Sequence, residues 1–344
     1  MTADVTYRPP RPEELADCAL VWHASVNDYM SRLGQPLPPP VLEPAMRLGE
    51  HLLNTDPGHF SVAVRPVPGG RRERIVGFGI GLQREHVWFL SQLYVLPGEQ
   101  RRGIGRALLS LVLPSAPTAD VEAQRDTSAN GTGSGAADAR RPGVLATCTD
   151  SAQPISNGLY SKFGIVPRMP VFNLVGRPAS TSILPTLPDG IEAIALEPPE
   201  LVSHRNPAAP GKDELRQTID AIDRDVLGYA HQPDHDFLRV QGRTGFLYRT
   251  GAGEPLGYGY SSQVGRFGPV ALLDETLTAP VIGHLMRAIE PRGATSVWIP
   301  GANDRAMVAM LRAGLRIEGF PAMFCWTRPF AAFERYLPAG LALL

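Results

Sequence analysis

The chain contains 344 residues, of which 43% are hydrophobic and 19% are charged, and its formal net charge at pH 7 is −1. At about 100–200 residues per domain, this length predicts two domains, and the apolar fraction suffices for packed cores. Because acidic and basic residues nearly balance, the composition excludes a strongly basic nucleic-acid-binding protein and a strongly acidic one.

The cysteines Cys18, Cys148 and Cys325 are far apart, and no two of them stand in a CxxC arrangement. This spacing supports neither a disulfide framework nor a cysteine zinc site, and we expect no metal. The N-terminal residues contain no apolar signal-peptide core, and no uninterrupted apolar run approaches the roughly 18–20 residues of a membrane span. We therefore expect a cytoplasmic protein with neither a membrane nor a nucleic acid as partner.

The first half of the sequence alternates between strand and helix patterns. Strands are predicted over residues 5–8, 60–65, 74–82, 86–96, 144–149 and 168–174. Helices are predicted over residues 12–30, 41–54, 103–112 and 155–163. This order indicates an α+β fold with a mixed, mostly antiparallel sheet and flanking helices.

Two segments interrupt these patterns. Residues 115–142 contain no aromatic residue and only Val121 among the large aliphatic ones. Such a segment cannot bury enough apolar surface to offset its ordering entropy, so we expect a disordered insertion within one domain. Residues 177–190 are rich in Pro, Ser, Thr and Gly and predict a linker. The predicted domains are therefore 1–176 and 191–344.

The second half repeats the order of the first. Strands are predicted over residues 191–196, 245–249, 255–261, 268–273, 296–300 and 323–328. Helices are predicted over residues 213–227, 279–290 and 303–313. The chain is therefore interpreted as two copies of one domain.

The loop PGEQRRGIG joins an apolar strand to a helix in the first half. Gly103 and Gly105 have no Cβ, so successive backbone N–H groups can converge on one point. These groups begin a helix, whose dipole also favours an anion, and Arg101, Arg102 and Arg106 add positive charge. The loop is suited to a pyrophosphate group. The sequence has no GK[ST] motif, and no GxGxxG with the acidic residue that binds a ribose, so P-loop and Rossmann nucleotide sites are not indicated.

This loop resembles motif A of the GNAT N-acetyltransferase superfamily, whose pattern Q/R-x-x-G-x-G/A is matched by Gln100, Gly103 and Gly105. In that family the loop binds the pyrophosphate of acetyl-CoA, and the preceding strand splays to bind pantetheine through its backbone. The resemblance implies two tandem GNAT-like domains with acetyl-CoA as co-substrate. The cofactor-binding residues that it implies here are Leu93, Tyr94, Val95, Gln100, Arg101, Arg102, Gly103, Ile104, Gly105 and Arg106.

A second family motif is a helix that carries Asn, followed by Ala, Tyr and Gly. The residues at the corresponding offsets here are Gln153, Ser156, Tyr160 and Gly164. In the family this tyrosine protonates the departing CoA thiolate, a step that suits a phenol because it is a donor at neutral pH. The resemblance thus implies Tyr160 as general acid, with a core aromatic as the alternative. Because Gln153 replaces Asn, either Gln153 or Asn157 is left to hold the cofactor's amide arm.

The second half repeats the helix of this motif without its chemistry. Asn303 and Gly314 stand at the same offsets, but Met310 occupies the tyrosine position and cannot donate a proton. Aligned with the Gly-rich loop, Pro280 falls opposite Gly103 and has no N–H for an anion. We expect a degenerate copy that covers the active domain, supplies walls of the substrate site or mediates a homodimer.

Acyl transfer to an amine requires that an ammonium lose its proton, so a general base or a water relay is expected. Many family members carry Glu or His at the positions of Phe89 and Ser91, neither of which can act as a base. Glu85 and His86, at the start of the same strand, are the remaining catalytic candidates, although a solvated turn is the plainer interpretation of both.

His231 and His235, in the sequence HQPDHD, could also suggest a metal site. The segment has a loop-like pattern, however, and the sequence shows no third ligand beside them. We therefore expect a loop without a metal at this position.

Together these features predict an acyltransferase that moves an acetyl group from acetyl-CoA to a primary amine by direct attack. The sequence does not identify the acceptor beyond a small-molecule or peptide amine, because acceptor pockets are built from variable loops. The alternative is a non-catalytic acyl-CoA-binding or regulatory module, which the missing base at Phe89 and Ser91 motivates.

Overall fold

A computed structural model describes residues 5–67, 73–114, 143–179, 181–196 and 212–344. The contacts divide the chain into two compact units, Met1–Leu145 and Ala146–Leu344, and each is described here by itself. The predicted insertion over residues 115–142 lies outside the described residues.

The first unit is an antiparallel sheet in the order β1-β2-β3-β4 with helices packed on it. Its strands are β1 (Thr6–Arg8), β2 (Phe60–Pro66), β3 (Glu73–Arg84) and β4 (Val87–Val95). Its helices are α1 (Leu15–Arg32), α2 (Glu43–Thr55) and α3 (Ile104–Val112). Side chains of β3 and β4 alternate between the two faces of the sheet. Phe78 and Ile80 face the side of α1 and α2, and Leu93 and Val95 face α3.

Two glycines of β3 allow α3 to approach the sheet closely. A Cβ at Gly77 would lie 3.3 Å from Leu108 Cδ1, and one at Gly79 would lie 3.6 Å from Leu108 Cβ. On the same side of the sheet, Ile104 and Leu108 pack with Ala63 and Val76 in a buried apolar cluster. This packing fixes where α3 begins, and so fixes the loop between β4 and α3.

The second unit contains the remaining elements. The strands, of which β5 begins two residues before the division, are β5 (Val144–Asp150), β6 (Val166–Gly176), β7 (Ile191–Leu196), β8 (Thr244–Thr250), β9 (Pro255–Ser261), β10 (Phe267–Leu272), β11 (Thr295–Pro300), β12 (Arg316–Trp326) and β13 (Tyr336–Leu337). The helices are α4 (Pro154–Ser161), α5 (Lys212–Val226), α6 (Gln232–Val240), α7 (Thr278–Ala288) and α8 (Asp304–Arg312).

Four strands of this unit interleave the two sequence repeats, in the order β5-β12-β6-β11. The segment β5–α4–β6 comes from the first repeat, and β11–α8–β12 comes from the second. All the pairings are antiparallel, and β12 lies between β5 and β6 while β6 lies between β12 and β11. Strand β6 therefore lies between two strands of the second repeat, and β12 lies between two strands of the first.

A separate sheet in the order β13-β10-β9-β8-β7 completes the second unit, and it is also antiparallel. Its core includes Val270, Val281 and Leu285, and Leu184 from the predicted linker is buried in the same cluster. Among the described residues, no helix combines the length and apolar character that crossing a membrane requires.

The structure confirms the α+β class and the mostly antiparallel sheets with flanking helices. It corrects one element, because residues 232–240 form helix α6 where a loop is predicted. Pro233, in the first turn of α6, is a helix-start signal that the polar composition of this segment obscured. The contacts divide the chain after Leu145, whereas the repeats divide it after Gly176. The two divisions differ because β5 and β6 pair with β12.

Candidate active site

The loop between β4 and α3 presents backbone donors at a helix start. Gly103 is the N-cap of α3 and has φ of 82°, a left-handed conformation that favours glycine. The first helical hydrogen bond runs from the Ala107 N–H to the Gly103 carbonyl. The N–H groups of residues 103–106 have no protein acceptor within the described part of the chain. Four donors therefore point out of the helix start, where the dipole favours an anion.

Arginine side chains surround these donors but differ in their partners. Arg101 and Arg106 are exposed, and neither contacts an acidic side chain among the described residues. Arg102 instead lies 3.3 Å from Glu99 Oε2 and is engaged with it. Arg101 and Arg106 are therefore the side chains available to a ligand's negative charge.

Three contacts brace the loop, and sequence analysis did not identify them. Gln100 Nε2 and Ser25 Oγ both donate to the carbonyl oxygen of Val95, at 3.0 and 3.1 Å. Glu99 is buried and also accepts from Arg65 Nε at 3.1 Å. Gln100 thus ties the loop to the end of β4. The only signal in the sequence for the role of Glu99 is that it is an acidic residue next to several basic ones.

The last residues of β4 alternate between two environments. Leu93 and Val95 pack with the buried cluster under α3. Tyr94 lies on the opposite face, with its ring centroid 5.7 Å from that of Phe78. Burial raises the pKa of the Tyr94 hydroxyl above its usual value, while its hydrogen bond with Trp22 acts in the opposite direction. The side chains of these residues therefore belong to the core, and only their backbone is suited to contact pantetheine.

A β-bulge interrupts β4 just before these residues. Gly81 pairs with Leu90 and Ile80 pairs with Gln92, so Ser91 is the extra residue on β4. A bulge bends the strand and interrupts its pairing. It gives a physical basis for a strand that splays near its end.

Glu85 and His86 form the turn between β3 and β4, and both are exposed. Glu85 has φ of 48°, which is typical of a tight turn. His86 precedes Leu93 by seven residues, which is about 23 Å along a strand at roughly 3.3 Å per residue. The structure does not bring Glu85 or His86 to the loop.

Helix α4 holds the residues of the second motif. Tyr160 is buried, with 5% of its surface exposed. Gln153 precedes α4 as its N-cap and makes no side-chain capping bond. Asn157 Nδ2 donates to the carbonyls of Asp150 and Gln153, at 3.1 and 2.9 Å. Asn157 Oδ1 is buried and has no hydrogen-bond partner among the described residues. The side-chain oxygen of Asn157 is thus available to accept a hydrogen bond from a ligand.

The corresponding helix start in the second repeat is already occupied by the protein's own groups. Asp274 Oδ1 accepts from the Thr276 N–H at 2.8 Å and from Thr276 Oγ1 at 2.7 Å. The Leu277 and Thr278 N–H groups donate to the carbonyls of Asp274 and Glu275. These hydrogen bonds to Thr276 lower the pKa of the Asp274 carboxyl and favour its anion. An acidic side chain therefore occupies the place of an external anion.

The sequence alignment of this second loop needs a correction of three residues. The N-cap of α7 is Leu277, so by helix starts Leu277 and not Pro280 corresponds to Gly103. Pro280 still lies in the first turn of α7, where it removes one donor. Met310 is fully buried in the core beneath α8.

Comparisons with known proteins agree with this geometry. A family model described as "Acetyltransferase (GNAT) family" matches residues 26–130. A solved structure from Pyrococcus horikoshii is 15% identical, with a TM-score of 0.62 over 96% of this chain and 92% of that one. A GCN5-related N-acetyltransferase from Sphaerobacter thermophilus is 16% identical, with a TM-score of 0.54 over 95% and 96%. A tandem GNAT protein from the clavulanic acid biosynthesis pathway is 12% identical, with a TM-score of 0.51 over 95% and 99%.

Residues 26–130 thus match the GNAT family model, and the whole chain shares its fold with solved GNAT structures, one of them a tandem GNAT protein. No curated protein sequence matches it. The similar solved structures extend over both repeats, so the second repeat shares the fold although it lacks the open helix start. Likenesses at this level of identity concern the fold alone.

Proposed function

We propose that this chain is an acetyl-CoA-dependent N-acetyltransferase whose active site belongs to the first repeat. The observation that carries the proposal is the set of unpaired N–H groups over residues 103–106, with Arg101 and Arg106 exposed beside them. Such a helix start fits the pyrophosphate of acetyl-CoA. The GNAT family match over residues 26–130 includes this loop and supports acyl transfer in general.

Acetyl-CoA then lies along β4, with its pantetheine arm on the backbone of residues 93–95. We assign the cofactor's amide arm to Asn157 rather than to Gln153, because Asn157 Oδ1 is a buried acceptor that the described residues leave without a partner. A pantetheine amide N–H would satisfy this oxygen, which removes the cost of a buried unpaired acceptor. The Gln100 side chain bonds to the protein and not to the cofactor, and it holds the loop against β4.

The chemical step is direct attack of a neutral primary amine on the thioester carbonyl. The new C–N bond gives a tetrahedral oxyanion, which a backbone N–H near Val95 would stabilise. Collapse of this intermediate breaks the C–S bond, and Tyr160 donates its proton to the CoA thiolate. The amine's proton passes to solvent, so the proposal assigns no side-chain base. The acceptor is a small-molecule or peptide amine.

The substitution Tyr160→Phe tests the general acid. We expect kcat to fall about 100-fold, in the range for loss of a positioned proton donor, while the Kd for acetyl-CoA changes less than twofold. The measurement is CoA thiol release over a panel of primary amines, with Kd from calorimetry. Tyr248→Phe is the matched control, because Tyr248 is another buried tyrosine, hydrogen-bonded to His284 in the second repeat.

Three outcomes separate the alternatives. Unchanged turnover in Tyr160→Phe removes this residue from the mechanism but leaves the transferase. Binding of acetyl-CoA by the wild type without turnover of any amine supports the non-catalytic acyl-CoA-binding module, which the absence of a base at Phe89 and Ser91 favours. A wild-type chain that does not bind acetyl-CoA contradicts both functions.

A further inference from the structure

A buried polar cluster lies in the second repeat, on elements other than those of the proposed active site. Asp223 lies on α5, His231 is the N-cap of α6, and His235 lies one turn further along α6. All three have 0% of their surface exposed. Tyr258 and Tyr260 of β9 border them. The cluster therefore joins two helices and a strand that are far apart in sequence.

The ligand atoms of this cluster converge on one point. His231 Nε2 lies 3.3 Å from Asp223 Oδ1, and His235 Nε2 lies 3.0 Å from Asp223 Oδ2. One ligand atom from each residue lies within 4.8 Å of the others. Zinc–nitrogen and zinc–oxygen bonds of about 2.0–2.2 Å in tetrahedral geometry separate neighbouring ligand atoms by about 3.3–3.5 Å. We propose that Asp223, His231 and His235 bind one divalent cation of the zinc class.

The charges around Asp223 favour a cation over a hydrogen-bonded network alone. Among the described residues, the polar side chains that contact its carboxylate are the two histidines and Tyr258, with no Arg or Lys. A fully buried carboxylate is costly unless a positive charge or metal lies beside it. A cation between the three ligands supplies that charge.

The outer nitrogen of His235 has a partner of the kind that metal-bound histidines use. For His231, Nδ1 lies 3.7 Å from Asp234 Oδ2, a charge contact that is longer than a hydrogen bond. His235 Nδ1 lies 3.1 Å from the Tyr260 hydroxyl oxygen, which can accept its proton. Such outer contacts orient metal ligands and fix their tautomers.

Two tyrosine hydroxyls complete the surroundings. Tyr258 Oη lies 2.6 Å from Asp223 Oδ1 and 3.4 Å from His231 Nε2, in the position of a fourth ligand. Tyr336 is fully buried, and its hydroxyl has no hydrogen-bond partner among the described residues. Burial raises the pKa of the Tyr336 hydroxyl well above its usual value, and its interactions with Tyr229, Asp223 and Asp234 raise it further. Tyr336 is therefore a neutral buried hydroxyl that interacts electrostatically with Asp223.

The chemistry of the site points to a structural role. Zinc favours four-coordinate sites with imidazole and carboxylate ligands and needs no redox partner. Because the ligands are closed to solvent, the cation would link α5, α6 and β9, and its binding free energy would add to folding stability. This role is independent of acetyl-CoA binding in the first repeat.

The test uses the full chain, freed of metal with a chelator and then titrated with Zn²⁺ and with Co²⁺. We expect one equivalent of Zn²⁺ per chain, a rise in Tm on binding, and the intense visible absorption of tetrahedral Co²⁺. Asp223→Asn and His235→Gln should weaken Zn²⁺ binding by roughly 100-fold or more. Tyr260→Phe, which removes only an outer contact, should weaken it about 10–100-fold. His284→Gln should bind as the wild type does, because His284 pairs with Tyr248 outside the cluster.

The wild-type measurements decide the matter even if the ligand variants fail to fold. Neither Zn²⁺ nor Co²⁺ binding by the wild type would overturn the proposal and leave a closed hydrogen-bonded network. A weak octahedral Co²⁺ spectrum, or Zn²⁺ binding that survives in folded Asp223→Asn and His235→Gln, would place the metal elsewhere and also overturn it.

Discussion

At the residue scale, the two repeats differ in what accepts the N–H groups at one helix start. In the first repeat the donors of residues 103–106 are left to a ligand. In the second repeat the backbone carbonyls of Asp274 and Glu275 already accept the corresponding N–H groups of Leu277 and Thr278, and Pro280 has no N–H. The Asp274 carboxylate accepts from the Thr276 N–H just before them, and a phosphate there would meet its negative charge. The same fold thus leaves the donors of this helix start open in one copy and largely satisfies them in the other.

The turn residues Glu85 and His86 give a prediction at this scale. Because about 23 Å of strand separates His86 from Leu93, we expect Glu85→Gln and His86→Gln to leave kcat/KM within about twofold of the wild type. The measurement is the pH dependence of kcat/KM with whichever amine turns over. A variant that lost a titrating limb of this profile would show that one of these residues is the base after all.

The sequence could predict the helix start at Gly103 and its open N–H donors, because both follow from contiguous residues, and the anion at this loop stays a prediction. The bracing of Val95 by Ser25 could not be predicted, because that contact joins residues distant in sequence. In the second repeat the loss of donors was assigned to Pro280 alone, whereas the backbone carbonyls of Asp274 and Glu275 also accept donors there. The error arose because α7 begins three residues earlier than a loop-by-loop alignment implies.

At the scale of secondary-structure elements, the main feature is the interleaving of strands from both repeats. Strand β12 pairs with β5 through Trp326↔Ala146 to Ala322↔Asp150, and with β6 through Arg316↔Val175 to Trp326↔Val166. The backbone donors and acceptors of β5 and β6 that face β12 would be unpaired without it. The first repeat therefore depends on β12, a strand of the second repeat.

This dependence predicts that residues 1–176 do not fold independently. Expressed alone, they should lack the cooperative thermal unfolding that the full chain shows by circular dichroism. Co-expression with residues 177–344 should restore it, because that fragment supplies β12. A fragment of residues 1–176 that unfolds cooperatively near the Tm of the full chain would show that β12 is dispensable.

Element types were predictable from sequence, but their exchange between repeats was not. The apolar pattern of residues 168–174 and 323–328 predicts two strands, but it does not say which strand pairs with which. Helix α6 was missed because its polar composition resembles a loop, although Pro233 marks its start. With it, sequence analysis missed the proximity of Asp223 to His231 and His235, which requires α5 and α6 to pack together.

At the scale of the whole molecule, the chain combines a first repeat that has an open helix start with a second repeat in which the equivalent helix start is largely satisfied. The second copy contributes β12 to the strands of the first and holds the Asp223 cluster in its own core. This difference between the two repeats predicts that the intact chain binds a single acetyl-CoA, at the loop after β4.

The most direct test of this account is isothermal titration of acetyl-CoA into the wild type, Gly103→Ala and Gly34→Ala. Gly103 and Gly34 both have positive φ, at 82° and 64°, and open space around a new Cβ, so the two substitutions impose similar backbone strain. We expect the wild type to bind one equivalent of acetyl-CoA per chain. In Gly103→Ala, roughly 1–2 kcal/mol of left-handed backbone strain should weaken the Kd about tenfold. In Gly34→Ala the Kd should not change. Two equivalents, no binding by the wild type, or equal weakening in both variants would contradict the account.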